Sequence, residues 1–199
     1  MKVGFDIDGV LASFFCAYEQ LTIKVDGRNL FPPLGPEQGP PVWDWPEHYG
    51  YSKDTMTEVW DRIRHDVHFW KSLPELHNMH LLRHAWESIR HKHDIYFITD
   101  RVGATAKIQT EEWLTDALFE KYRRTPTVLI SGDKAGIARA LKLDIYVDDK
   151  SESVEAVSAV PFIQVYLQDR FYNRFCRQGK RIVNIQPVLE QLRSGILVM

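Results

Sequence analysis

Apolar residues along this chain fall into two alternating patterns: short, nearly unbroken runs, and longer stretches in which they return every three or four positions. The first pattern marks strands and the second amphipathic helices, so the chain reads as strand and helix in alternation. The runs predict strands at residues 3–7, 95–99, 127–131, 144–147 and 162–165, with a weaker one at 181–184. Helical stretches between them supply the crossovers that parallel strands need. Leu82, Ala85, Trp86 and Ile89 repeat at helical spacing after Asn78, a good capping residue, and predict a helix leading into the second strand. Trp113, Leu114, Ala117 and Leu118 mark another, and Pro187 opens a last one through Val188, Leu189 and Leu192.

The interval between the first two strands breaks this rhythm. Residues 26–50 hold six of the ten prolines together with Gly27, Gly35, Gly39 and Gly50, which disfavours regular structure. Beyond them Met56, Val59, Trp60, Ile63 and Val67 fall on one face of a helix. The expected fold is therefore α/β: a Rossmann-like doubly wound parallel sheet with a small, mainly helical cap inserted after the first strand. Residues 1–13 and 79–199 form the expected core and residues 14–78 the expected cap.

A chain of 199 residues suits one domain with a modest insertion. A net charge of -2 gives no general electrostatic reason to bind long nucleic acid. Cys16 and Cys176 lack metal-ligand spacing or a disulfide framework, which favours a reducing compartment. The first strand starts within a few residues of Met1, so no signal peptide is expected, and no apolar stretch is long enough to span a bilayer. A cytoplasmic protein is the expectation.

The chemistry concentrates where strands end. In Lys2-Val3-Gly4-Phe5-Asp6-Ile7-Asp8-Gly9-Val10-Leu11 two carboxylates close a buried-strand run, and Gly9 frees the backbone where the chain must turn away. Open α/β sheets bind ligands at the carboxyl ends of their strands, so both acids should open into a site. Tyr96-Phe97-Ile98-Thr99-Asp100 ends a second strand on a hydroxyl, Ser131-Gly132-Asp133-Lys134 places a lysine at a helix entry, and Asp144-Ile145-Tyr146-Val147-Asp148-Asp149-Lys150 delivers paired acids. Two carboxylates about 4 Å apart repel by roughly 4 kcal/mol at an effective dielectric of 20, so a cation is required among them.

These four strings, in this order, resemble the four motifs of the haloacid dehalogenase superfamily of Mg²⁺-dependent phosphotransferases, and the resemblance covers most of residues 1–166. It implies that Asp6 is the nucleophile that forms an aspartyl-phosphate, that Asp8 is the general acid and base, and that Lys134 is a fixed positive charge on Asp6 and the phosphoryl group. It further implies Mg²⁺ held by Asp6, the Asp8 backbone carbonyl, Asp148 and Asp149. Thr99 and the Asp100 amide, helped by the amides that follow Asp8, would bind phosphate oxygens. Within the superfamily the chain is similar to the 5'(3')-deoxyribonucleotidases, through the aromatic cap, the Asp-Lys helix, Val147-Asp148-Asp149-Lys150 and Tyr172-Asn173-Arg174. It departs from them in Asp100-Arg101 after Thr99 and in the long 26–50 loop.

A nucleoside monophosphate is the substrate this resemblance implies, and the cap supplies aromatic faces for a base. Phe14, Phe15, Trp43, Trp45, Phe69 and Trp70 all fall in or beside the cap, with Phe14, Trp43, Phe69 and Trp70 the leading candidates, since stacking on a nucleobase contributes about 1–3 kcal/mol and tolerates several bases. Other outcomes stay open: another small phosphate ester, a 3'-phosphate at a nucleic-acid end, or a metal- and phosphate-binding protein without turnover. No membrane partner is expected, and a homodimer is left open. His77, His80 and His84 lie opposite the apolar face of their helix and read as a solvated face. Arg170 to Arg181 mixes basic and aromatic residues and reads as charged surface, with Arg174 near enough in sequence to approach the phosphate. Cys16 reads as a buried helical residue.

Overall fold

The described part of the molecule, a computed structural model, comprises residues 1–32, 40–118 and 125–195, with the side chains of residues 80 and 81 outside that set. The central strand β1 (Lys2–Phe5) forms because Val3 and Phe5 find apolar neighbours and are wholly shielded from solvent. It pairs in parallel with β2 (Asp94–Thr99) and with β4 (Ile145–Asp148). β3 (Thr127–Ile130) adds beyond β2, and β5 (Gln164–Gln168) and β6 (Lys180–Ile182) extend the other side. The order is β3-β2-β1-β4-β5-β6, parallel throughout.

Helices cover both faces, which explains why the strands read as continuous apolar runs. One face carries α4 (Met79–Ile89), α5 (Ala106–Leu118) and α8 (Gln186–Ser194), with Trp86, Phe97, Trp113, Leu114 and Val188 in the shared core. Trp86 meets Phe5 edge-on at 5.0 Å, and full burial of such a ring contributes roughly 1.5–3 kcal/mol. The other face carries α6 (Lys134–Leu141) and α7 (Ser151–Ser158) over Ile98, Ala138, Tyr146, Val154 and Val165. The chain order reverses between β1 and β4, the position where open α/β sheets part to form a ligand crevice.

Between β1 and β2 the chain forms α1 (Phe14–Asp26), α2 (Trp45–His48), α3 (Lys53–His65) and a 3₁₀ turn (Trp70–Ser72) before α4. α1 stops at Gly27, whose left-handed backbone (φ +79°) lets its N–H close on the Ile23 carbonyl. α3 starts at Ser52, whose hydroxyl accepts from the Thr55 N–H. Residues 33–39 of the proline-rich segment lie outside the described residues.

Several local expectations need correction. β5 lies later than residues 162–165, because Phe162 is fully exposed in a left-handed turn (φ +67°) and the strand instead uses Gln164 to Gln168. Val67 lies past the end of α3 and is about half exposed, at 52%. His77 precedes α4 and leaves the solvated face: its ring Nε2–H donates to the Val10 carbonyl at 3.0 Å, and burial pushes its basicity down. His84 is exposed as expected, and the His80 side chain lies outside the described set. Cys16 sits in α1 half-buried rather than buried.

Candidate active site

The hydrogen bonding of β1 outlasts its apolar run by one residue, since the Asp6 N–H donates to the Val147 carbonyl at 2.8 Å and fixes Asp6 at the carboxyl end of the sheet. The chain then folds back sharply. The Ile7 carbonyl accepts from the N–H groups of Val10, Leu11 and Ala12, and Gly9 N–H donates to the Ala12 carbonyl. This corrects one expectation, because the amides of Gly9 and Val10 close this turn and are not available to a phosphate. Gly9 is required here: it takes φ +79° against the Asp149 carboxylate. Arg170 clamps the same loop, its Nε and Nη2 donating to the Gly9 carbonyl at 2.9 and 2.6 Å.

Lys134 opens α6, which Asp133 caps by accepting from the Gly136 N–H at 2.8 Å. That start directs Nζ inward, 2.9 Å from Asp6 Oδ1 and 2.8 Å from Asp148 Oδ2. Asp148 ends β4 and is fully buried, with Oδ1 accepting from the Lys150 N–H and Oδ2 also bonded to the Tyr146 hydroxyl. Asp149 follows, its Oδ2 bonded to the Tyr172 hydroxyl and its backbone carbonyl held by Asn173 Nδ2 at 2.7 Å.

Three buried carboxylates thus face one ammonium. Burial is the largest influence on Asp6 and raises its pKa well above the usual range; Lys134 opposes this, while Asp148, Asp149 and Asp8 push it further up. Burial and then Asp148 raise Asp149 to about 7. Burial works against the charge on Lys134, but Asp148 and Asp6 more than offset it and hold the ammonium above its ordinary range. Oxygens of Asp6, Asp148 and Asp149 lie within 4.8 Å of one another, and Asp149 Oδ1 is buried without a hydrogen-bond partner. An unsatisfied hard oxygen within a cluster of excess negative charge suits a divalent cation, so these three acids could hold one.

The Asp8 carboxylate stands apart from this trio. Both its oxygens accept from Arg101, and Thr99 Oγ1 reaches Oδ2 at 3.4 Å. Asp100 is exposed, its carboxylate lying over Gly132 closely enough that a Cβ there would meet Oδ2 at 3.1 Å.

A cavity of about 330 Å³ opens above these groups and takes in Asp6, Asp8, Thr99, Asp100 and Lys134. Its apolar lining includes Phe14, Trp43 and Trp70 together with Tyr18, Trp45 and Trp60. Phe69 is corrected: it is buried behind the lining, edge-on to Trp70 at 5.0 Å and to Phe14 at 6.2 Å. Trp60 belongs to the lining because it stacks on Phe14 at 5.7 Å; in sequence it reads only as one more apolar position of α3. Arg174 turns outward over the Phe171 ring, and the arginine that reaches the site loop is Arg170. Neither Arg170 nor Arg101 carries a local signal for its contact, since their partners are distant in sequence.

Comparison with solved structures finds the same fold at low identity. A protein assigned as a phosphoglycolate phosphatase from Lactobacillus plantarum is 12% identical with a TM-score of 0.58, over 95% of this chain and 97% of that one. Haloacid dehalogenase-like hydrolases from Streptococcus pneumoniae (14%, TM-score 0.55, 96% and 90% covered) and Xanthomonas campestris (12%, TM-score 0.54, 98% and 96%) are similar in the same way. At such identities the likeness speaks for the fold. No curated protein matches the chain. A family model does, that of the 5' nucleotidase, deoxy (Pyrimidine), cytosolic type C proteins, over residues 1–195. With nearly its whole length matched, the chain belongs to that family and is a phosphatase built on a haloacid dehalogenase-like fold.

Proposed function

We propose that the protein is a Mg²⁺-dependent phosphomonoesterase that dephosphorylates nucleoside monophosphates, as a 5'(3')-deoxyribonucleotidase, through an aspartyl-phosphate. The observation that carries this reading is the placement of Asp6, Lys134 and Asp148 in one bonded cluster at the floor of an aromatic cavity. Asp6, Asp148 and Asp149, with the Asp8 backbone carbonyl, would hold Mg²⁺, which when bound supplies positive charge to the carboxylates and the phosphoryl oxygens.

The residues then divide the work. Asp6 Oδ attacks phosphorus as the ester P–O bond breaks, and the departing oxygen takes its electron pair and a proton from Asp8. Water next attacks the phosphoryl group on Asp6 and gives a proton back to Asp8, which frees inorganic phosphate and restores Asp6. Lys134 holds the Asp6 carboxylate in place and stabilises charge on the phosphoryl oxygens. Thr99 and the Asp100 amide hold those oxygens through hydrogen bonds. Residues 14–78 act as the cap, whose aromatic lining stacks on the base.

The family's description as pyrimidine deoxy nucleotidases of cytosolic type supports a pyrimidine deoxynucleotide substrate and a cytoplasmic location. No helix among the described residues is long and apolar enough to cross a membrane. Phosphate release from dUMP, dTMP, AMP, 3'-nucleotides and sugar phosphates, with Mg²⁺ and with chelator, tests the reading. Mg²⁺-dependent release fastest from the deoxynucleotides is expected. Release from sugar phosphates alone would reject the nucleotide substrate.

A further inference from the structure

Arg101 buries its side chain completely, and its ion pair is with Asp8. Nε donates to Oδ2 at 2.9 Å and Nη2 to Oδ1 at 2.8 Å, so the planar guanidinium meets the carboxylate as a two-pronged fork. The third arm, Nη1, donates to Thr110 Oγ1 at 2.9 Å on α5. One face of the guanidinium lies against Trp70, 4.9 Å from the ring centre. Trp70 is itself anchored, its N–H donating to Gln109 Oε1 at 2.9 Å and its indole N–H to the Val102 carbonyl at 2.8 Å. The group assigned to proton transfer is therefore fixed in orientation by an arginine that is fixed on two further sides.

A buried guanidinium is costly to desolvate unless paired, so its retention here calls for a role that a smaller apolar residue could not fill. The fork supplies one. Each carboxylate oxygen has two lone-pair sites; the fork takes one on each, Thr99 Oγ1 reaches Oδ2 as well, and the second site of Oδ1 is left for a proton. A lysine in the same place would keep the charge but lose the planar, two-point hold.

We propose that Arg101 is a positioning residue that holds the Asp8 carboxylate so that an unshared lone-pair site faces the leaving oxygen, with Thr110 and Trp70 keeping the guanidinium in plane. The inference rests on the phosphomonoesterase reading and on Asp8 as proton donor. In the first half-reaction the Asp6 oxygen to phosphorus bond forms, the ester P–O bond breaks, and the oxygen leaving with the electron pair takes the Asp8 proton. A nucleoside alkoxide needs that proton. A 4-nitrophenolate is stable without it.

The test is leaving-group release in the first turnover of the Mg²⁺-loaded enzyme, before hydrolysis of the aspartyl-phosphate contributes. Arg101→Lys should slow nucleoside release from dTMP by about 100-fold and 4-nitrophenolate release from its phosphate by less than about 3-fold, with little change in KM for either, since positioned proton transfer contributes about 10²–10⁴. Equal losses on the two esters would overturn the proposal. If Arg101→Lys does not fold, Thr110→Val, which removes the bond to Nη1 together with the hydroxyl's own bond to the Ala106 carbonyl within α5, should show the same selective loss at about 10-fold, and an unselective loss there is equally fatal. In an Asp8→Asn background neither substitution should slow nucleoside release further, and an additional loss would contradict action through Asp8. Wild-type enzyme that cleaves neither ester would bring down the phosphomonoesterase reading, and this inference with it, before any variant is compared.

Discussion

Gly9 lies so close to Asp149 that a Cβ at position 9 would sit 1.8 Å from Asp149 Oδ2. The loop carrying Asp8 and the strand end carrying the paired acids are therefore packed directly against each other, with the Arg170 fork on the Gly9 carbonyl holding the contact shut. Gly9→Ala would face that clash and a left-handed backbone, a strain of about 1–3 kcal/mol. Thermal unfolding should fall by roughly 2–4 °C for each kcal/mol, and Mg²⁺-supported turnover should drop with it. A variant with unchanged melting temperature and activity would refute this packing.

The buried acids set how stability depends on pH. Asp149 is raised from 3.8 to about 7 in the fold, and Asp6 is raised as well. Folding without a cation therefore takes up protons, so the stabilising contribution is complete below about pH 4 and is lost as pH rises through about 7. Mg²⁺ binding to the ionised carboxylates should reverse the loss. Melting curves in chelator should fall between about pH 5 and pH 8, and the increase on adding Mg²⁺ should grow over the same interval. A Mg²⁺ effect that is constant with pH would contradict the assignment of these acids to the cation.

The aromatic lining should act on the base and not on the phosphate. Trp43 and Trp60 are the accessible members, 40% and 37% exposed, so alanine there should spare the core. Stacking contributes about 1–3 kcal/mol, so kcat/KM for a deoxynucleotide should fall roughly tenfold to a hundredfold in each variant while glycerol phosphate is cleaved as before. Equal losses on both would remove base stacking from the account.

The parts of this site that were legible in the sequence are those that end an apolar run or open a helix. Asp6, Thr99, Lys134 and Asp148 each sit at such a boundary, and the sheet brings all four boundaries to one edge. The hydrophobic pattern places β5 too early because the strand's ends are glutamines: Gln168 Nε2 donates to the Val183 carbonyl and Gln164 Nε2 to the Tyr166 hydroxyl, while Gln168 Oε1 is buried without a partner. Polar ends of that kind hide a strand from a hydrophobic pattern. Phe69 reads as a binding residue in sequence because aromatic identity does not say which side of a cluster faces the cavity. Arg101 and Arg170 act across 93 and 161 positions of chain, and no local pattern reports a contact at that range.

The proposed reaction turns on phosphorylation of Asp6. Wild-type enzyme turning over a deoxynucleoside monophosphate with Mg²⁺, quenched rapidly in acid and mapped by peptide mass spectrometry, should carry a phosphate on Asp6, and Asp6→Asn should be folded, unlabelled and inactive. Turnover without any adduct on Asp6, together with substantial activity in Asp6→Asn, would contradict the account.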